Sequence, residues 1–340
     1  MAAKKGLTYF YDSIVLTLVV VLAAGVLGYY EHGHFTGAFD WIFLVLVLAL
    51  LEISISFENA VVNATVLKKM NALWRCRFVT WGMWVAVFGM RFVIPLLIVC
   101  SAARIGPVKA LQLALFKSGE YARLLQASHH QILAFGGSFL LMASLRYFFD
   151  VNKEVHWIKI IEGPLAKLGK LESIEIGVVL LFLYLLSNGV PPNESAALLR
   201  SGLAGILVFI VTESLGSLLQ GSGGQSGRTS LGLFLYLEIL DASFSFDGVV
   251  GAFAISSQLP LIALGLGIGA MFVRSLTLLM VDRGTLETFV FLEHGGFWAV
   301  AALAALMFLQ IMVPVPEVVT SLVGVTIIGL SLWSSLRNSI

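Results

Sequence analysis

Charged side chains are scarce in this chain. Only 12% of its 340 residues are Asp, Glu, Lys or Arg, about half the roughly 25% of a soluble domain. So few charges cannot cover a water-facing surface, which excludes an ordinary soluble globular protein. Cysteine is nearly missing. Cys76 and Cys100 stand far apart and match neither a CxxC pair nor a zinc spacing. Two free thiols are expected, and a disulfide framework is excluded. Basic residues are not in excess either: the formal net charge of +1 argues against nucleic acid, whose binding needs a basic face. There is no HExxH motif and no nucleophile–base pair, so no enzyme and no bound cofactor is expected. The series Gly265, Gly267, Gly269 follows no strand and is no nucleotide fingerprint; in an apolar helix such glycines let a neighbour approach closely.

What is present is apolar sequence. Hydrophobic residues make up 59% of the chain, and the mean hydropathy is +0.95. About 20 mostly apolar residues span the hydrocarbon core as a helix. Ten candidate runs lie at 11–30, 39–66, 78–102, 130–149, 173–190, 195–219, 231–256, 261–281, 291–312 and 317–336. The expectation is an all-α, polytopic transmembrane helix bundle with the lipid bilayer as its main partner. The first run is long for a signal-peptide core and lacks a good cleavage site at Gly28–Glu31, so it reads as a retained helix. Lys and Arg mark alternate loops: Lys4 and Lys5, then Lys68, Lys69, Arg75 and Arg77, then Lys153, Lys159, Lys167 and Lys170, with Arg228, Arg283 and Arg337 later. By the positive-inside rule these loops and both termini are expected to be cytoplasmic. Segment 103–129 departs from the rule with Arg104, Lys109, Lys117 and Arg123. Its spacing of Val108, Leu111 and Leu115 suggests an amphipathic surface helix. Around Pro191 and Pro192 the plainer reading is a tight turn; the sharper one is a helix broken within the membrane. Residues 221–227 read as a flexible Gly-Ser linker.

Two stretches nearly repeat each other. Leu51–Val62 carries Glu52, Ser56, Phe57 and Glu58; Leu240–Val250 carries Asp241, Ser245, Phe246 and Asp247 at the same spacing. Each sits within an apolar run, where a carboxylate costs roughly 2.5–3.5 kcal/mol to insert at the membrane centre and is by default a functional-site candidate. An odd number of crossings separates the copies, so two inverted repeats are expected, 1–190 with a cytoplasmic loop at 151–172, and 191–340. In secondary transporters such repeats place the site at their interface near the midplane. Weaker echoes agree: Arg91 with Arg274, and Gly136-Gly137 with Gly295-Gly296.

At about 100° per residue, Glu52 and Asn59 share a helical face, as do Glu238 and Asp241. Glu58 lies roughly 240° from Glu52, so either the helix is unwound near Ser54–Asn59 or Glu58 faces another neighbour. Packing the two copies antiparallel would assemble Glu52, Glu58, Asn59, Glu238, Asp241 and Asp247. Clustered buried carboxylates cannot all be ionised unless they are compensated. Arg91 and Arg274 are the candidates to balance two charges, and a hard divalent cation suits the remaining oxygens better than zinc or copper. The bland alternative is an ion-paired network that fixes helix packing without chemistry. Glu293 and His294 could join the site or sit at the membrane interface; His129 and His130 read as solvated loop residues. Glu317 reads as a helix-start acid, and Trp41, Trp74, Trp81 and Trp298 as interfacial aromatics.

The segments Glu52 with Ser56–Ala60, Glu238–Asp241 with Phe246-Asp247, and Arg274–Leu276 resemble the TerC family of bacterial integral membrane proteins. With Phe291–Gly295 the chain looks like a longer branch of that superfamily of unknown function. Glu58 stands where TerC proper has Asp, a change that alters ligand reach. The resemblance implies association with tellurium resistance and, in some members, manganese export. It carries over Glu52, Glu58, Asn59, Glu238, Asp241 and Asp247 as ligand candidates. The expected function is therefore export of a divalent cation across the bacterial inner membrane, manganese first and calcium second, with possible proton coupling. The rival is a membrane scaffold in tellurium or metal stress with structural acids. Oligomeric state is not legible.

Overall fold

The computed structural model describes residues 6–85, 89, 93, 96–97, 99–100, 105–221, 226–256 and 258–338. It is all-helical, with no strand among the described residues. The principal helices are α1 (Tyr11–His32), α2 (Phe35–Ile55), α3 (Phe57–Leu67), α4 (Ala72–Trp84), α5 (His129–Phe148) and α6 (Lys159–Leu168). They continue with α7 (Ile174–Gly189), α8 (Pro192–Gly221), α9 (Ser226–Ile255), α10 (Leu259–Asp282), α11 (Leu292–Gln310) and α12 (Glu317–Asn338). Among the described residues six helices are long and apolar enough to cross a membrane: α1, α2, α5, the Pro192–Ser214 part of α8, α10 and α11. Their outer faces fit hydrocarbon. Leu18, Leu22 and Val26 of α1 are exposed, as are Leu181 and Leu185 of α7 and Leu322 and Val325 of α12, two further apolar helices outside those six, a breadth of apolar surface that water would not tolerate.

The expected run 39–66 is two helices. The chain leaves α2 at Ile55, passes Ser56 at φ −96° and ψ 17°, and re-enters helix at Phe57. Ser56 Oγ donates to Glu52 Oε1 at 2.9 Å, while its backbone N–H still bonds Glu52 O at 2.9 Å. The run 173–190 forms a helix of only 16 residues, short of a full crossing, and the interior of 78–102 falls largely outside the described residues. At the prolines the plainer reading holds: α7 ends at Gly189, Val190 is extended, and α8 begins at Pro192. Proline suits a first helical turn, where its missing N–H has no partner to lose.

Segment 103–129 holds two short helices, Pro107–Phe116 and Ser118–Ala127. Their inward contacts come from Ala110, Ala114 and Tyr121, while Val108 and Leu115 point outward. Trp41 is not interfacial. It is buried in the α1–α2 hairpin, where a Cβ at Gly28 would lie 2.7 Å from its Cγ. Gly33 closes that hairpin at φ +72°, a conformation glycine reaches without strain.

Helix α10 runs through the middle of one half of the bundle. Gln258 bonds Glu31 at 2.8 Å, Ser13 and Ser275 share a 2.7 Å bond, and Tyr9 donates to Asp282 at 3.0 Å. Helix α1 is therefore antiparallel to α10. Gly265 lies against Leu48 and Gly269 against Glu52, so α2 runs parallel to α10. The glycine series read from the sequence is what allows this approach, since a Cβ at Gly269 would collide with the Glu52 side chain. The other half of the core joins α5, α8, α9 and α11 through Phe139, Phe209, Leu240 and Phe308.

Candidate metal centre

The two motif segments meet. Asn71 N donates to Ser230 Oγ at 3.1 Å, and a Cβ on Gly248 would stand 3.1 Å from Glu52 Oε2. As residue number rises from 52 to 71 on one strand of contacts, it falls from 248 to 230 on the other, so α9 is antiparallel to α2 and α3.

The candidate residues are buried: Glu52, Glu58, Asn59, Glu238 and Asp241 are all 7% exposed or less, and Arg274 is 3% exposed. They fall into separate groups. In the first, Arg274 of α10 holds both acids of α9. Its Nη2 lies 3.2 and 3.3 Å from the Glu238 oxygens and 3.5 Å from Asp241 Oδ2. Its Nη1 donates to Phe78 O at 2.9 Å, and the guanidinium lies 4.4 Å from the Phe78 ring centre. Gly82 of α4 closes this group. A Cβ there would come within 2.6 Å of Glu238 Oε1 and collide with Arg274 Nη1. Two carboxylates share one guanidinium, which leaves room for a proton or a cation in the charge balance.

Glu52 forms the second group with Ser56, Gly248 and Gly269. Glu58 forms the third. It faces α12, where a Cβ at Gly324 would lie 3.0 and 3.1 Å from its carboxylate oxygens. Both options raised by the sequence therefore hold: the helix breaks before Glu58, and Glu58 turns to a different neighbour from Glu52. Among the described residues no group of three His, Cys, Asp or Glu side chains stands in a metal-holding arrangement. Asp247 lies in α9, with its side chain outside the described residues, and Arg91 lies outside them altogether.

A second buried carboxylate was not singled out by the sequence reading. Glu162 of α6 is 1% exposed. It accepts from His294 Nδ1 at 2.8 Å, Trp298 Nε1 at 2.9 Å and the Trp157 and Ile158 amides at 3.2 and 3.3 Å. Lys153 Nζ adds an ion pair at 3.3 Å. Neither Glu293 nor His294 joins the acids of α9. Glu293 pairs with Lys68 at 3.3 Å, and His294 is buried beneath the loop instead of sitting at an interface. His130 pairs with Glu194 at 2.9 Å at the start of α5. No sequence signal distinguishes Glu162 from an ordinary loop acid, because His294 and Trp298, which bury it, lie more than a hundred residues away.

Burial pushes the Glu162 carboxyl up, but bonds from His294 and Trp298 and the Lys153 charge outweigh this and hold it at about 2. A depressed carboxylate stabilises the fold above its ordinary value near 4.5 and loses that contribution as pH falls toward 2. Glu162→Gln is expected to cost about 3–5 kcal/mol, the cost of removing one partner from a buried charged network. Thermal unfolding in detergent checks this: wild type should lose stability steeply on acidification below pH about 4.5, and the variant should start lower and show a flatter profile.

The helices define the class: a helical protein with several segments fit to cross a bilayer and a buried carboxylate–arginine centre that joins α4, α9 and α10. Residues 57–339 match the family described as a protein of unknown function, DUF475. The chain belongs to that family. No curated protein and no solved structure matches it significantly.

Proposed function

We propose that this protein exports a hard divalent cation, manganese first and calcium second, across the bacterial inner membrane, with both termini cytoplasmic. The cation is substrate, not cofactor. The carrying observation is the burial of matching motif acids in an antiparallel pair of helices, with Glu52 against Gly248 and Glu238 and Asp241 on Arg274. Oxygen-only donors favour manganese, magnesium or calcium over softer metals. Glu58 and Asp247 would be the central ligands, with Glu52, Asn59, Glu238 and Asp241 completing the shell or carrying protons outward in exchange. Arg274, and Arg91 by its matching position, would balance charge when the cation leaves. The antiparallel register of α3 and α9 supports two inverted repeats, and the remaining four expected crossings would come from α4 and its continuation, α7, α9 and α12. The TerC resemblance supports the same reading and adds a role in tellurium resistance.

One observation favours a scaffold with structural acids instead. Glu238 and Asp241 already pair with Arg274, as a packing network would. Manganese flux in sealed vesicles, with and without a pH gradient, tests the carrier. Saturable flux that responds to the gradient supports it. Vesicles that neither bind nor move manganese would favour the scaffold.

A further inference from the structure

Helix α6 presents an apolar stripe that the described residues leave uncovered. Ile160 is 89% exposed, Ile161 46% and Leu168 44%, and Leu171, just past the helix end, is 56% exposed. Pro164 is exposed as well. At about 100° per residue, Ile160, Pro164, Leu168 and Ile161 fall on one face of α6. The opposite face is anchored. Glu162 is held by His294 and Trp298, Leu165 packs on the larger apolar cluster, and a Cβ on Gly169 would collide with the Phe149 carbonyl. These contacts fix which way the helix is turned, so the stripe points away from the bundle.

The anchors also set its level. Phe149 directly follows α5, and His294 and Trp298 lie in the first two turns of α11. Both helices are long and apolar enough to cross a membrane. Helix α6 therefore lies beside the ends of two crossing segments, where hydrocarbon gives way to headgroups. Charge points the same way. The charged residues between 159 and 171 are Lys159, Glu162, Lys167 and Lys170. The acid is buried and the three lysines are exposed, so the charge this segment shows is wholly basic. An apolar stripe edged by lysines is the pattern of a helix lying in a membrane interface and drawn to anionic lipid. The membrane surface is a cover already present at that level, which a soluble partner is not.

We infer that α6 is an interfacial helix: its stripe lies in the headgroup–acyl boundary and its lysines bind anionic lipid headgroups. The second half of the 151–172 connection is then membrane-bound, not a solvated loop. This needs only that the chain sits in a bilayer, and holds whether or not a cation is carried.

The test uses the full-length chain, with Cys76→Ser and Cys100→Ser, in vesicles of phosphatidylcholine and phosphatidylglycerol. An environment-sensitive fluorophore is attached at Ile160→Cys or at Leu168→Cys, with the exposed Glu154→Cys as reference. The two stripe labels are expected to lie about 5–10 Å into the boundary, quenched by lipids spin-labelled high on the acyl chain and shielded from aqueous iodide. The reference label should show the reverse. Spin-labelled phosphatidylglycerol should quench the Leu168→Cys label at least about twofold more than spin-labelled phosphatidylcholine at equal mole fraction, because lysines near the surface attract anionic lipid. Lys159→Gln, Lys167→Gln and Lys170→Gln together should bring that ratio to about one. Stripe labels open to iodide and untouched by the lipid quenchers would overturn the inference. Labels shielded from both would reveal a protein cover, a second copy or a partner, and overturn it equally. Equal quenching by the two lipids before the lysines are changed would overturn the binding of anionic headgroups. Should one labelled variant fail to fold, the other carries the test on the same terms.

Discussion

Arg274→Gln is expected to unfold or severely destabilise the protein, by about 3–5 kcal/mol, because it leaves buried carboxylates without their counter-charge. Glu238 and Asp241 both rely on Nη2, and the Phe78 carbonyl relies on Nη1. Gln lacks the charge and cannot reach all three. The measurement is thermal unfolding in detergent at neutral pH, with a second variant, Arg274→Gln/Glu238→Gln, to separate charge from packing. Neutralising Glu238 as well should recover part of the loss. A double variant no more stable than the single one would show that the charge pair is not what Arg274 supplies. The same experiment bears on function. If the network is purely structural, any function should return in step with stability in the double variant, whereas a carrier that uses these acids predicts a variant that folds and still fails to move manganese.

The second large effect concerns transport. Asp247→Asn and Glu58→Gln should each insert and fold while losing cation transport, by more than the roughly 10–100-fold that removal of a supporting residue costs at a metal site. The two positions correspond in the repeated motif, Glu58 after Ser56-Phe57 and Asp247 after Ser245-Phe246. Matching defects are therefore expected from the pair. Vesicle flux with manganese provides the readout, and cell survival on elevated manganese a second. Normal flux by both variants would remove the acids from the transport path. A defect in only one would argue that the halves do not contribute equally. Glu58 sits against Gly324 of α12, so its variant also reports on whether the last helix lines the path.

The sequence made the site's chemistry legible before any coordinates. A carboxylate in an apolar run stands out, and finding the same spacing at Glu52–Glu58 and Asp241–Asp247 implied that the two would meet. They meet at one point, Glu52 against Gly248, in an antiparallel sense, while the acids themselves divide into three separate groups. The glycines of α10 were read as a close-approach surface, and Gly265 and Gly269 serve as one against α2. Less legible was anything that depends on which element a side chain turns toward. Periodicity alone left Glu58 with two possible explanations; the break at Ser56 and the contact with α12 supplied both. Trp41 looked interfacial because tryptophan at a helix end usually is, yet Gly28 of the facing helix leaves room for the ring to be buried against it.

Composition and the length of the apolar runs pointed to a helical chain suited to a bilayer, because backbone in hydrocarbon must satisfy its own polar groups and a run of about 20 apolar residues does so as a helix. The repeated acids, also visible without coordinates, determined where chemistry is to be sought. Tertiary structure alone decided how those acids are divided: Glu238 and Asp241 on one arginine, Glu52 beside Ser56, Glu58 on the final helix. It alone revealed Glu162 and His294 as a buried pair, 2.8 Å apart. Partners so distant in sequence leave no local pattern, since a side chain's neighbours across a bundle are set by helix crossing and register, not by spacing along the chain.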